Sequence, residues 1–183
     1  MKRKIVTLIG TREPEPQYVD LMTRIGKAFS DKGYGARSGD AIGSDQRFLK
    51  NYDPKLCIKY RPDDREGCVN VMNHKNYYEF ELIASRFHVA WEFMIIGHQE
   101  LHARNVPQVM GLNLDTYSDL VVFCANEDIR GVVSGGTATA VKLARSLNIP
   151  TLNIMNPVQR SKLCKWLGVE DIPILEKVDI FNL

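Results

Sequence analysis

At 183 residues, 44% of them hydrophobic and 25% charged, the chain has the size and make-up of one globular domain able to bury a core without staples. A formal charge of +2 neither requires nor excludes a polyanionic partner, but it lacks the strongly basic balance of a dedicated DNA-coating protein. The four cysteines (Cys57, Cys68, Cys124 and Cys164) form no CxxC pair, and Cys68 with His74 finds no second pair, so no metal site is expected.

In chain order, Lys4–Gly10 is a short apolar run ending in glycine, the signature of a buried parallel strand. A helix follows from about Pro16 to Lys32, with Tyr18, Met22, Ile25 and Phe29 on one face and Gly33 as its stop. Tyr34–Ser38 is a second strand, Gly39–Ser44 a loop, and Asp45 opens another helix. Leu56–Tyr60 reads as a third strand. Residues 61–76 then turn polar and irregular, as a surface loop or lid would. Helical patterns resume over Glu81–His88 and Ala90–Val109. Within the latter, Trp91, Phe93, Met94, Ile95 and Ile96 are apolar enough for a core or a dimer face. Asp119–Ala125 is the clearest strand. It leads through a glycine-bearing loop to a helix over Thr137–Leu147, where Ala140, Leu143, Ala144 and Leu147 share a face. Thr151–Ile154 and Val158–Leu167 close the pattern as a strand and a helix.

Alternating strands and helices predict an α/β fold: one Rossmann-like three-layer domain over residues 1–183, with a mostly parallel sheet. No secretory leader opens the chain and no stretch nears the roughly 18 apolar residues of a membrane span, so a reduced, cytoplasmic protein with no membrane partner is expected. The basic clusters Lys2-Arg3-Lys4 and Arg160, Lys162, Lys165 are expected to be solvated faces.

Ligands of such sheets bind at the carboxyl ends of the strands, which directs attention to three loops. These are Gly10-Thr11-Arg12, then Ser38-Gly39-Asp40-Ala41-Ile42-Gly43-Ser44-Asp45, then Ser134-Gly135-Gly136-Thr137-Ala138-Thr139-Ala140. Glycine lets a backbone approach a ligand closely, a helix start offers free N–H groups to an anion, and Ser and Thr add donors. Arg12 is the natural phosphate fork, unless it pairs with Glu13 or Glu15, and Lys142 lies one turn into the third-loop helix. Asp45 is expected chiefly to close the second loop.

No GxSxG elbow and no cysteine beside a base is present. His74, His88, His98 and His102 are unpaired in sequence and read as surface or packing residues. Glu92, after Trp91, is the first candidate for a catalytic carboxylate, with Glu79 and Glu81 behind it. Tyr52, Tyr60, Tyr77 and Tyr78 are candidates for base stacking, although loop tyrosines are common in any fold.

The motif order resembles the DNA processing protein A (DprA/Smf) family. Gly10-Thr11-Arg12 is similar to its G-S-R turn, and Ser38–Asp45 matches its S-G-x-A-x-G-x-D. Arg104-Asn105 with Gly111 resembles its R-N-R-x-I-x-G segment, the second arginine lost. Ser134-Gly135 and Thr139-Ala140 resemble its S-G loop and T-A helix. The wider SLOG superfamily includes the LOG-type phosphoribohydrolases, whose P-G-G-x-G-T-x-x-E motif here carries Ala138 for a glycine and Lys142 for the catalytic glutamate.

The resemblance implies a protein that binds a nucleotide or nucleotide-derived small molecule, or the phosphates of single-stranded DNA. The binding set is Gly10, Thr11, Arg12, Ser38, Gly39, Gly43, Ser44, Asp45, Arg104, Ser134, Gly135, Gly136, Thr137 and Thr139. The alternatives are a LOG-type nucleoside-monophosphate N-glycosidase, with Glu92 as its acid, and a recombination mediator acting on single-stranded DNA. No cofactor is implied, and a homo-oligomer is as open as a monomer.

Overall fold

The computed structural model describes residues 2–173. Within them the chain runs β1 (Ile5–Gly10), α1 (Pro16–Asp31), β2 (Gly35–Ser38), α2 (Ser44–Leu49), β3 (Cys57–Arg61), β4 (Val69–Asn70) and α3 (Tyr77–Ser85). It continues through α4 (Ile96–Ala103), α5 (Asn105–Met110), β5 (Leu120–Cys124), α6 (Ala138–Ser146), β6 (Thr151–Asn153) and α7 (Pro157–Leu167). The six strands form one sheet in the order β4-β3-β2-β1-β5-β6, and every pairing is parallel. This is the expected α/β, Rossmann-like three-layer architecture.

The pleat divides the core in two. Successive side chains of a strand point to opposite faces. Val6 and Leu8 of β1, with Val122 and Cys124 of β5, therefore pack against Leu21, Met22, Ile25 and Phe29 of α1, Phe48 of α2 and Leu163 of α7. Ile9, Val121 and Phe123 face the other way, onto Phe80 of α3, Ala103 of α4, Val106 and Val109 of α5, and Val141 and Ala144 of α6. Each large apolar side chain buried in this way contributes about 1.5–3 kcal/mol. The α1 face read from the sequence is buried as predicted, with Leu21 added to it.

Because β1 lies between β2 and β5, the chain order reverses there, and Gly10 stands level with Cys124 at the carboxyl edge. The Thr11 N–H donates to the Cys124 carbonyl at 2.8 Å, so the loops after β1 and β5 leave the sheet side by side. That crevice is where ligands of open α/β sheets bind.

Three expectations are corrected. The polar 61–76 segment carries a sixth strand: Val69 and Asn70 pair with Tyr60 and Arg61, and Val71 is fully buried. The helix expected over Ala90–Val109 is a 3-10 turn at Trp91–Phe93 followed by α4 and α5. The break before α5 lets Pro107 occupy the first turn of a helix, where its missing N–H costs nothing. Phe93, Ile95 and Ile96 of that apolar run are 90%, 66% and 72% exposed, so they are not core. Arg160 is buried rather than solvated; its Nε donates to Asp171 at 2.7 Å and it approaches the Tyr18 ring. No helix among the described residues is long and apolar enough to cross a membrane.

Candidate functional site

A cavity of about 870 Å³ opens at the crevice between β1 and β5, well within the range of small-molecule sites. Its walls include nine of the residues singled out in the sequence: Gly10, Thr11, Arg12, Asp45, Arg104, Ser134, Gly135, Gly136 and Thr137. Ser38, Gly39, Gly43, Ser44 and Thr139 stand behind those walls. Glu92 is exposed on the Trp91–Phe93 turn and contributes nothing to the lining.

The second loop is organised around the carboxylate of Asp45. One oxygen accepts from the Gly10 N–H at 3.0 Å, and the other from the N–H groups of Gly39 at 3.0 Å and Ala41 at 3.4 Å. Ser38 Oγ donates to the Leu8 carbonyl at 2.6 Å, and Ser44 Oγ to the Thr11 carbonyl at 2.8 Å. The S-G-x-A-x-G-x-D pattern thus ties the first two loops together. Burial pushes the Asp45 carboxyl above the ordinary range, against the pull of Arg104 and the three backbone donors.

Gly39 makes room for Arg104. A Cβ there would stand 1.1 Å from an Arg104 terminal nitrogen, so only glycine lets the guanidinium lie across the loop. Arg104 is buried, 8% exposed, and lines the cavity. Its nearest counter-charge is Asp45 at 3.8 Å, beyond hydrogen-bond distance, and its Nε has no partner. Arg37, another buried arginine, lies off the cavity; its Nε is also without a partner, but its terminal nitrogen donates to the Thr116 carbonyl at 2.6 Å. Arg104 is therefore a desolvated cation whose donors face the cavity largely unused, a costly arrangement unless an anion arrives.

The third loop differs in kind. Gly135 has φ of +72°, and a Cβ built at Gly135 or Gly136 would meet nothing within 4 Å, so both present bare backbone to the cavity. Asn105 Nδ2 pins the turn from below by donating to the Gly136 carbonyl at 2.7 Å, and Gln108 in turn donates to Asn105 at 3.1 Å. Within the turn, the Ala138 N–H is taken up by the Gly135 carbonyl at 3.1 Å. The start of α6 adds the positive end of a helix dipole.

One wall of the cavity is built from residues far apart in the chain. His88 and His102, read as unpaired, meet across Thr139: His88 Nε2 and His102 Nδ1 each lie 2.7 Å from its Oγ1, with ring centroids 4.0 Å apart. His98 and Lys142 line the same wall. The signal available was the four-residue spacing of His98 and His102, which places both on one face of α4. Nothing in the sequence brings His88 to them. Burial, then the charges of His88, His98, Arg104 and Lys142, lowers His102 to about 4; burial and Lys142 lower His88.

Charge in the cavity is lopsided. Arg12, Arg104 and Lys142 line it against one carboxylate, Asp45, already engaged by backbone. Arg12 makes no ion pair with Glu13 or Glu15. It also faces a smaller hollow of about 460 Å³ shared with Arg47 and Lys50. Of the tyrosines considered for stacking, Tyr52 and Tyr60 are buried, Tyr78 is exposed, and none of Tyr52, Tyr60, Tyr77 and Tyr78 lines either cavity. Among the described residues, no cluster of three or more His, Cys, Asp or Glu is placed to hold a metal ion.

No family model matches the chain, and no curated protein matches it in sequence. Solved structures do. DNA processing protein A from Helicobacter pylori, studied for its mode of binding single-stranded DNA, is 19% identical with a TM-score of 0.56, over 90% of this chain and 80% of that one. The molybdenum cofactor binding protein of the phototrophic bacterium Rippkaea orientalis is 14% identical with a TM-score of 0.51, over 92% and 86%. The fold is thus a Rossmann-like fold similar to that of DNA processing protein A. At these identities the likeness establishes the fold and leaves function to the site.

Proposed function

We propose that this protein binds a phosphate-bearing nucleotide, or a nucleotide-derived small molecule, in the cavity at the β1–β5 crevice. Arg104 carries the reading: a buried guanidinium held over Gly39, aimed into the cavity and without a hydrogen-bonding counter-charge. A phosphate there would accept the unused donors bidentately, with Arg12 and the Ser134–Thr137 turn completing its shell. Binding is favoured over glycosidic hydrolysis because Glu92 lies off the cavity and Asp45, its one lining carboxylate, is committed to backbone.

The test is thermal stability against a panel of ribonucleotides, with Arg12→Ala and Arg104→Gln as variants. A ligand at about 100 times its Kd adds roughly 2.7 kcal/mol to the folded state. The expected result is a clear stabilisation by at least one nucleotide, reduced in both variants. No stabilisation by any nucleotide, or equal stabilisation in both variants, would overturn the reading.

A second reading, single-stranded DNA, is supported by the basic hollow of Arg12, Arg47 and Lys50, which carries positive charge out of the cavity. Binding of an oligonucleotide that weakens steeply with salt would favour it, since counterions are then reacquired. A ligand held in the cavity alone would show only a mild salt dependence.

A further inference from the structure

We propose that His88, His102 and Lys142 form a second anion subsite, which loads by taking up one proton and selects ligands bearing two anionic groups, such as nucleoside diphosphates, over monophosphates. The proposal rests on the nucleotide reading above and adds to it what the α3–α4–α6 wall of the cavity recognises.

Thr139 Oγ1 has one proton, and two imidazole nitrogens stand 2.7 Å from it. Its hydroxyl therefore donates to one ring and accepts an N–H from the other. That gives a His–Thr–His chain with one proton on each hydrogen bond, a pattern that a neutral pair satisfies and that a single added proton leaves intact. The chain is buttressed rather than incidental: Thr139 is fully buried, and the Trp91 ring packs on His88 at 5.9 Å. Both histidines nevertheless line the cavity.

The charges facing the pair all have one sign or none. His98 and Arg104 face it from α4 and its cap, and Lys142 from α6. Phe87, just past the end of α3, contributes only a carbonyl, which accepts from Lys142 at 3.4 Å. The groups that perturb either ring include no carboxylate. In the free protein the pair is neutral at pH 7, because burial and the surrounding cations disfavour imidazolium. With ring centroids 4.0 Å apart, the two histidines accept one proton between them rather than two.

An anion entering this wall reverses the balance. It supplies the missing negative charge, raises the pair's affinity for a proton, and receives in return an imidazolium donor beside the Lys142 ammonium. The sign follows from linkage. Binding takes up a proton in the window between the free pair's own protonation, which burial and the neighbouring cations hold below the ordinary histidine value, and the raised value of the bound state. Affinity therefore rises as pH falls from neutral. The Arg12, Arg104 and Ser134–Thr137 wall needs no such proton, since its donors are permanent. A ligand with one phosphate satisfies that wall alone, and a second anionic group is what engages the histidines.

Isothermal calorimetry tests this on the full chain, with the four ribonucleoside monophosphates and their diphosphates, in buffers of different ionisation heat at about pH 7. The expected result is about one proton taken up per diphosphate, and roughly tenfold tighter binding than for the matching monophosphate, a margin of one charge-assisted contact. In the His88→Asn/His102→Gln double variant the proton uptake and the preference vanish, while monophosphate binding remains. The double variant also carries the ligand phosphate's own titration, which serves as the baseline. Equal affinity for both ligand classes, or diphosphate binding without proton uptake beyond that baseline, would overturn the subsite and leave the anion cavity standing. Absence of binding by every nucleotide would overturn the cavity reading, and the subsite with it.

Discussion

Two glycine-rich loops at the same sheet edge use the same residue types for opposite ends. In Ser38–Asp45 the polar groups are consumed internally: Asp45 takes three backbone N–H groups, while Ser38 and Ser44 donate to the β1 strand and its loop. In Ser134–Thr137 the bare glycines face open space, and Asn105 holds the turn from behind. The difference traces to one carboxylate. A loop with its own buried acceptor closes on itself and becomes scaffold; one without it keeps its donors for a ligand.

Removing that acceptor is the most severe way to break the contrast. Asp45→Ala leaves three N–H donors without their acceptor and the Arg104 guanidinium without its nearest counter-charge, and breaking a buried charged network of this kind costs about 3–5 kcal/mol. Urea unfolding measures it, and a cost below about 1 kcal/mol would mean that the loop does not depend on Asp45.

A smaller effect, on the same loop, is expected for Gly39→Ala. Its new methyl collides with Arg104, and overpacking costs about 1–3 kcal/mol. Unlike Asp45→Ala it should also displace the guanidinium, so nucleotide affinity falls along with stability. Unfolding and binding curves of one preparation would separate the two effects.

Least perturbing is Gly136→Ala in the open loop. With nothing within 4 Å of the new methyl, stability should change by no more than about 0.5 kcal/mol. Nucleotide binding should nonetheless weaken, because the methyl occupies the ligand's approach. A stability loss like that of Gly39→Ala would show that the two loops are not different in kind.

How much of this was legible in the sequence depended on how local its physics was. The α1 face, the Lys4–Gly10 strand and the Asp119–Ala125 strand follow from periodicity, and their burial agrees with it. β4 was hidden because two residues on a sheet edge leave no alternation to read. The apolar run around Phe93 suggested a core or a dimer face; Trp91 packs on the core while Phe93, Ile95 and Ile96 lie exposed, since hydrophobicity alone does not say which side of a turn meets the sheet. In the site, the cavity-facing turn and Arg104 were readable from glycines and motif order. The histidine wall was not, because His88 and Thr139 are 51 residues apart and only the packing of α3, α4 and α6 joins them.

The central strand pair has a consequence for how the chain becomes a protein at all. β1 aligns with β5 from Val6 with Leu120 onward, and the Ile5 N–H donates to the Asp119 carboxylate 114 residues away. Contacts of such long sequence separation slow folding, because the intervening chain must surrender its freedom before they reward it. During synthesis, β1, β2 and β3 emerge long before the strand that covers the other edge of β1. Until β5 is made, that edge offers unpaired N–H and C=O groups to any passing strand. Completing the crevice and protecting the nascent chain from aggregation are thus a single event, the arrival of Leu120–Cys124.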